Sequence, residues 1–242
     1  MFLYNAGLAR SRTDAKNLIL SSSVTVDGKV IIKPSYEISE DSDVKVSASE
    51  DKKFASRAGL KLESALSSFG ISVLGKETLD VGASSGGFTD CLLSHGAEHV
   101  IALDSGKDQL VDYLRNDKRV TVIENFNARY LSPEDLEYVP DIVVMDVSFI
   151  SATYIIPAIF DCIRAGGDFV CLIKPQFEVG RNGLSKGGIV KDAILRKAAV
   201  DKVLSFAENV GFVNRGIIES PITGGDGNIE FLAHFVKEEK FL

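Results

Sequence analysis

Short apolar runs recur along this chain at intervals that helices of ordinary length fill, and this alternation restricts the fold more than any other feature. Beyond about residue 50 the runs fall at 78–81, 100–104, 120–124, 141–147 and 168–174, with helical stretches between them. A helix carrying Leu60, Leu62, Ala65, Leu66 and Phe69 ends at Gly70, a residue suited to a left-handed helix stop. A longer helix is predicted over 192–210, with Asp192 at its start and Gly211 at its end. Two last strands are expected near 213–219 and 229–236, where the pattern beginning at Ile229 and Phe231 fits an edge hairpin. Strands and helices in turn define an α/β domain with a doubly wound sheet.

The first fifth of the chain reads differently. Ser11 can cap a helix over 12–20 whose apolar stripe is Ala15, Leu18 and Ile19. Val24–Val26 follows as a short strand, Asp27-Gly28 as a tight turn, and Val30–Ile32 as the return strand. The stretch 41–53 is polar and reads as the end of this module plus a linker. The expected organisation is therefore a small α+β module over 1–48, a linker over 49–55 and the α/β domain over 56–242. A length of 242 residues suits one sizeable core with such an appendage.

At 79–90 the sequence L-D-V-G-A-S-S-G-G-F-T-D leaves the first strand of the α/β domain, turns on Gly82 and enters a helix after Gly86-Gly87. Glycines at such a turn let the backbone approach a ligand where helix amides also point. The spacing is not G-x-G-x-x-G. It is similar to the methyltransferase pattern D-x-G-x-x-x-G-G-F, which marks Asp80, Gly82, Ala83, Ser84, Gly86, Gly87 and Phe88 as candidate contacts to S-adenosylmethionine. Asp104 ends the second strand in I-A-L-D-S, where a carboxylate can accept both ribose hydroxyls of a bound nucleoside.

Asp146 ends the fourth strand in Asp-Val-Ser-Phe. Nothing there resembles the proline-rich clamp that holds an exocyclic base amine, and no cysteine pattern suggests attack on a pyrimidine ring. A hydroxyl acceptor is the better reading. A ribose 2′-OH is a poor nucleophile until its proton is withdrawn, and a lysine can act as base where burial or a neighbouring cation disfavours its ammonium form. Lys174, at the end of the fifth strand and followed by Pro175, is the candidate base, with Asp146 to orient it. Lys61 and Glu230 would hold the ribose and balance charge.

These four residues sit in S-R-A-G-L-K-L at 56–62, V-V-M-D-V-S-F at 143–149, C-L-I-K-P-Q-F-E at 171–178 and G-N-I-E-F-L at 227–232. A lysine, an aspartate, a lysine and a glutamate in that order resemble the polar set of FtsJ-type RNA ribose 2′-O-methyltransferases. The flanking words resemble the TlyA, or haemolysin-A-like, family. That resemblance implies a Rossmann-like class I methyltransferase sheet, mostly parallel with an antiparallel last strand, and an S-four-type RNA-binding module ahead of it. It also implies methylation of cytidine ribose in ribosomal RNA, free or within a ribosomal subunit, and an adenine contact at Asn127.

Charge gives a mixed signal. The net charge of −7 runs against a phosphate-binding surface, yet positive residues gather in the first third. Arg10, Arg12, Lys16 and Arg57 are candidate RNA contacts, as are Arg181 and Lys186 in the glycine-rich loop at 178–190, which is expected to be mobile. Cys91, Cys162 and Cys171 are scattered and, with His95, His99 and His234, form no metal-ligand spacing, so no metal is expected. No apolar run approaches the roughly 20 residues that span a bilayer, and the amino terminus lacks a signal-peptide pattern, so a cytoplasmic protein without membrane partners is expected. A non-catalytic RNA-binding or ribosome-assembly factor and a haemolysin remain the alternative functions at this point.

Overall fold

Apolar residues two apart line both faces of every central strand, and the computed structural model shows what covers each face. It describes residues 2–9, 12–20, 24–31, 33–39, 42–46, 53–180 and 183–238. The chain divides into two compact units, Met1–Lys53 and Phe54–Leu242.

In the first unit, α1 (Phe2–Asn5) and α2 (Arg12–Leu20) precede an antiparallel sheet of β1 (Val24–Val26), β2 (Lys29–Ile31) and β3 (Val44–Val46), in the order β2-β1-β3. Asp27 and Gly28 both adopt positive φ, 51° and 78°, the geometry that matches strand twist in a two-residue hairpin. Leu3, Ala15, Leu18 and Val24 form the core. The polar stretch expected over 41–53 thus contains a strand. Asp27 explains part of its placement: its carboxylate accepts from the Asp43 amide at 2.8 Å, and its own amide donates to the Asp43 carbonyl at 2.9 Å. The expected cap Ser11 and the strand end at Ile32 lie outside the described residues.

The second unit runs α3 (Ala58–Phe69), β4 (Glu77–Val81), α4 (Gly87–Ser94), β5 (His99–Leu103), α5 (Asp112–Arg115), β6 (Val120–Ile123), β7 (Ile142–Met145), α6 (Ile156–Cys162), β8 (Asp168–Ile173), α7 (Pro175–Glu178), α8 (Ala193–Val210), β9 (Phe212–Glu219) and β10 (Phe231–Lys237). Phe54, placed by the sequence in the linker, is buried in this unit's core. The seven strands are ordered β6-β5-β4-β7-β8-β10-β9. β4 to β8 are parallel, and β10 is antiparallel to both its neighbours. The last strand is therefore not the edge: it inserts between β8 and β9, and β9 takes the outside position.

One face of the sheet, with Leu79, Val81, Met145, Phe169 and Phe235, packs on α6 and α8. The other, with Val100, Val144, Val170 and Leu232, packs with Leu62, Leu66 and Leu92 of α3 and α4. All three cysteines are buried and outside any disulfide. Among the described residues no helix is long and apolar enough to cross a membrane. Strand order reverses between β4 and β7, so the crevice where doubly wound sheets bind ligands opens at the carboxyl ends of those two strands.

Candidate active site

Five chain segments deliver the candidate residues to that one edge. Gly82 follows β4, Asp146 follows β7 and Lys174 follows β8. Glu230 immediately precedes β10, which runs the other way. Because Phe231 pairs with Ile173, continuing the ladder one residue sets Glu230 beside Lys174. Lys61 arrives from the first turns of α3, which packs across the sheet.

The four charges form two pairs. Lys61 Nζ lies 2.5 Å from Glu230 Oε2, with side-chain exposures of only 9% and 2%. Lys174 Nζ lies 2.6 Å from Asp146 Oδ1 and donates a hydrogen bond to Ser148 Oγ at 2.8 Å. The contact with Oδ1 is close in distance but lacks hydrogen-bond alignment. Each lysine therefore meets a carboxylate of its own.

A cavity of about 150 Å³ joins the second pair to the glycine turn. Its lining includes Ser56, Ala58, Gly82–Ser85, Gly87, Phe88, Asp146, Ser148 and Lys174. Gly82 holds φ 87°, and a Cβ there would fall on the Asp146 carbonyl oxygen. Gly87 is required for another reason, since a Cβ would run into Ser56 Oγ and the start of α3. Gly86, at φ 96°, packs against Leu110 and Leu114. Ser84 is a non-glycine residue at positive φ, 47°, and its amide donates to Asp104 Oδ2 at 2.8 Å. Asp104 Oδ1 accepts from the Gly106 amide at 2.6 Å. The Asp104 carboxylate thus shapes the turn while remaining half-buried at the end of β5.

Asp80 lies beneath the turn, fully buried. Thr89 Oγ1 of α4 donates to its Oδ2 at 2.6 Å, while Oδ1 is buried with no partner among the described residues. Burial pushes the carboxyl up to about 7, against the Thr89 hydrogen bond and with help from the Asp146 and Asp104 charges. An orphaned buried acceptor and a cradle with no room for a Cβ at Gly82 together fit a ligand with a cationic group and close backbone contacts.

The remaining candidates are more dispersed. Asn127 is exposed, and its Oδ1 accepts from the Arg129 amide at 3.1 Å, capping a turn of 3₁₀ helix. Arg57 is exposed between the cavity residues Ser56 and Ala58. Lys186 is exposed in a turn closed by a bridge between Ser185 and Ile189. Arg12 and Lys16 are exposed one turn apart on α2. Arg10 and Arg181 lie outside the described residues. No group of three or more His, Cys, Asp or Glu that could hold a metal ion occurs among the described residues.

Three residues carry parts of the site that sequence reasoning left unassigned, though each stands inside a quoted motif. Ser148 bonds Lys174. Glu178, buried, accepts from Ser151 Oγ at 2.6 Å, the Ala152 amide at 2.8 Å and Lys202 Nζ at 2.9 Å, tying α7 to the segment after β7 and to α8. Asn228, also buried, accepts from the Val190 amide at 2.9 Å and donates to the Gly188 carbonyl at 3.1 Å. Its own carbonyl accepts from the Gly224 amide at 2.9 Å. Phe149, 92% exposed and at φ 65°, leans on Phe177 with ring centroids 5.3 Å apart. A polar residue in a motif that no helix or strand pattern requires was the available signal.

Fold and crevice together define a class I methyltransferase-like protein. The FtsJ-like methyltransferase family matches residues 54–237, and the S4 domain matches residues 1–44. Hemolysin A of Brachyspira hyodysenteriae is 47% identical over 238 residues, covering 97% of this chain and 98% of that protein. The 16S/23S rRNA (cytidine-2'-O)-methyltransferase TlyA of Mycobacterium tuberculosis (strain ATCC 25618 / H37Rv) is 43% identical over 229 residues, covering 95% and 85%. A solved structure from Streptococcus thermophilus that carries the hemolysin label superposes with a TM-score of 0.79 at 41% identity, covering 98% of this chain and 87% of that one. The chain belongs to the FtsJ-like methyltransferase family, in the TlyA and hemolysin A group that joins this domain to an S4 domain.

Removing one partner of the buried Lys61–Glu230 pair strands the other charge. Lys61→Ala should cost about 3–5 kcal/mol of stability, and adding Glu230→Gln should restore part of it. Chemical denaturation of the two single variants and the double variant measures the coupling; additive losses would show that the pair is not energetically coupled.

Proposed function

We propose that this protein transfers a methyl group from S-adenosylmethionine to a ribose 2′-hydroxyl of ribosomal RNA, at cytidine. The observation that carries the reading is the Lys174–Asp146 pair opening onto the same cavity as the glycine turn, with Lys61–Glu230 one ladder step away. Relatives named as rRNA cytidine-2'-O-methyltransferases support the acceptor. The same observation disfavours a non-catalytic RNA-binding role, which needs neither pair.

Gly82, Ala83, Ser84, Gly86 and Gly87 would hold the cofactor through backbone approach, Asp104 its ribose, Phe88 and Asn127 its flank and base, and Asp80 its amino group. The cofactor, when bound, supplies an activated methyl group on a positively charged sulfur. Lys174 takes the proton that the ribose hydroxyl loses as the methyl arrives. Asp146 holds that lysine in place and compensates its charge. Lys61 and Glu230, fixed by each other, present a rigid polar wall against which the ribose is oriented. Alignment and preorganised charge supply most of the acceleration. The S4 unit would capture RNA through Arg10, Arg12 and Lys16, with Arg57, Arg181 and Lys186 adding phosphate contacts.

Methyl transfer from labelled S-adenosylmethionine to ribosomal subunits tests the whole reading. Lys174→Ala should abolish transfer while cofactor affinity stays within about threefold of wild type. Lys174→Arg should not rescue, because a guanidinium does not give up its proton at working pH. Near-normal turnover by the arginine variant would replace the base with a purely electrostatic role.

The raised Asp80 carboxyl gives cofactor binding a pH signature. Without ligand the group is protonated below about 7. A ligand ammonium at Oδ1 favours the carboxylate, so binding releases a proton and affinity rises with pH until it levels above about 7. For folding the sign is opposite: the group's contribution is full below the ordinary carboxylate range and is lost as pH rises through that range toward about 7. Calorimetry with S-adenosylhomocysteine should show affinity falling up to about tenfold per pH unit below neutrality, and Asp80→Asn should flatten that dependence. A flat profile in the unmodified protein would remove Asp80 from the cofactor site.

RNA capture by the S4 unit predicts a salt effect. Arg12→Ala with Lys16→Ala should reduce the slope of log affinity against log salt by about two units, with cofactor binding unaltered. An unchanged slope in filter-binding assays would assign RNA capture to other surfaces.

A further inference from the structure

We infer that Ser148 is a positioning residue that sets the direction in which Lys174 receives its proton, an inference that rests on the proposed base role of Lys174. Lys174 Nζ has two close contacts of different kinds. Asp146 Oδ1 at 2.6 Å supplies charge without hydrogen-bond alignment, and Ser148 Oγ at 2.8 Å supplies an aligned acceptor. Charge alone does not fix rotation about the Cε–Nζ bond, because a Coulomb contact depends on distance and not on where the N–H bonds point. A hydrogen bond does fix it. In the neutral amine, one N–H held by Ser148 fixes the torsion, and repulsion between the lone pair and the Asp146 carboxylate turns the lone pair to the remaining direction, at the cavity all three residues line.

The approach of Ser148 to Lys174 is built into the scaffold. Ser148 is followed by Phe149 at φ 65°, a conformation that an aromatic residue keeps only where its surroundings enforce it. Three contacts do so. The Phe149 ring rests on Phe177, and Ser151 Oγ and the Ala152 amide are bound by the buried Glu178. Phe177 and Glu178 belong to α7, which starts at the residue after Lys174. The segment bearing Ser148 and the segment bearing Lys174 are therefore joined twice, by Lys174 to Ser148 at one end and by Glu178 to Ser151 and Ala152 at the other. The strained turn between them holds the serine hydroxyl in reach of the amine. Ser148 acts through Lys174, and its loss should leave RNA and cofactor contacts in place.

Steady-state methylation of ribosomal subunits by Ser148→Ala and Ser148→Thr, beside Lys174→Ala, tests this. Ser148→Ala should lower kcat about tenfold with unchanged KM for the subunit and unchanged cofactor affinity, and Ser148→Thr, which keeps the hydroxyl, should recover most of the loss. Unchanged kcat in the alanine variant, equal impairment of both variants, or a raised KM at constant kcat would each overturn the inference. Lys174→Ala separates the two levels. An active Lys174→Ala removes the base reading itself, whereas an inactive Lys174→Ala with a fully active Ser148→Ala removes only the positioning role.

Discussion

The antiparallel pairing of β10 with β8 is the constraint on which the rest of the catalytic unit depends. Its register runs from Phe231↔Ile173 to Val236↔Asp168. Side chains alternate with a period of two, so a slip of one residue would turn Ala233 and Phe235 out of one core face and send Glu230 away from Lys61. The register is pinned far from the crevice. Phe235 stacks on Phe169 with centroids 5.7 Å apart, Phe212 joins them, and His234 Nε2 meets Asp168 Oδ1 at 2.7 Å. Packing at one end of the strand thus decides which charge stands at the other.

The two ion pairs at that end differ in what surrounds them. Lys61 and Glu230 are sealed between α3 and the sheet, where a charge without its partner is costly, so they act as one rigid unit. Lys174 and Asp146 instead border a cavity and are more open than the first pair. Gly82 joins the two parts of this edge. Its bare Cα lets the glycine turn lie directly against the Asp146 backbone, so the turn and the Lys174–Asp146 pair share a wall.

Strand and helix positions were legible because a doubly wound sheet, buried on both faces, leaves unbroken apolar runs. The ends of those runs also marked Asp104, Asp146 and Lys174. β3 escaped notice because Val44-Lys45-Val46 offers only three residues inside a polar stretch, and it pairs through β1 far away in sequence. The insertion of β10 between β8 and β9 could not be read from periodicity, which reports faces and not neighbours; the family resemblance supplied its direction. Within the crevice, the residues were visible but the pairing was not. Lys61 and Glu230 lie 169 positions apart, and nothing local links them. Ser148, Glu178 and Asn228 were passed over because their partners are backbone groups or distant side chains that only the folded chain assembles.

Asn228 carries a consequence beyond its place in the crevice. One side-chain amide serves both Gly188 and Val190, while the same residue's carbonyl closes the turn at Gly224, two positions after which Asp226 and Gly227 lead back toward Glu230. The two loops therefore have no independent way to open: releasing either exposes the same buried amide to water with its bonds unmade. Their backbone amides should therefore exchange hydrogen as a single cooperative unit, although nearly forty residues of chain separate them.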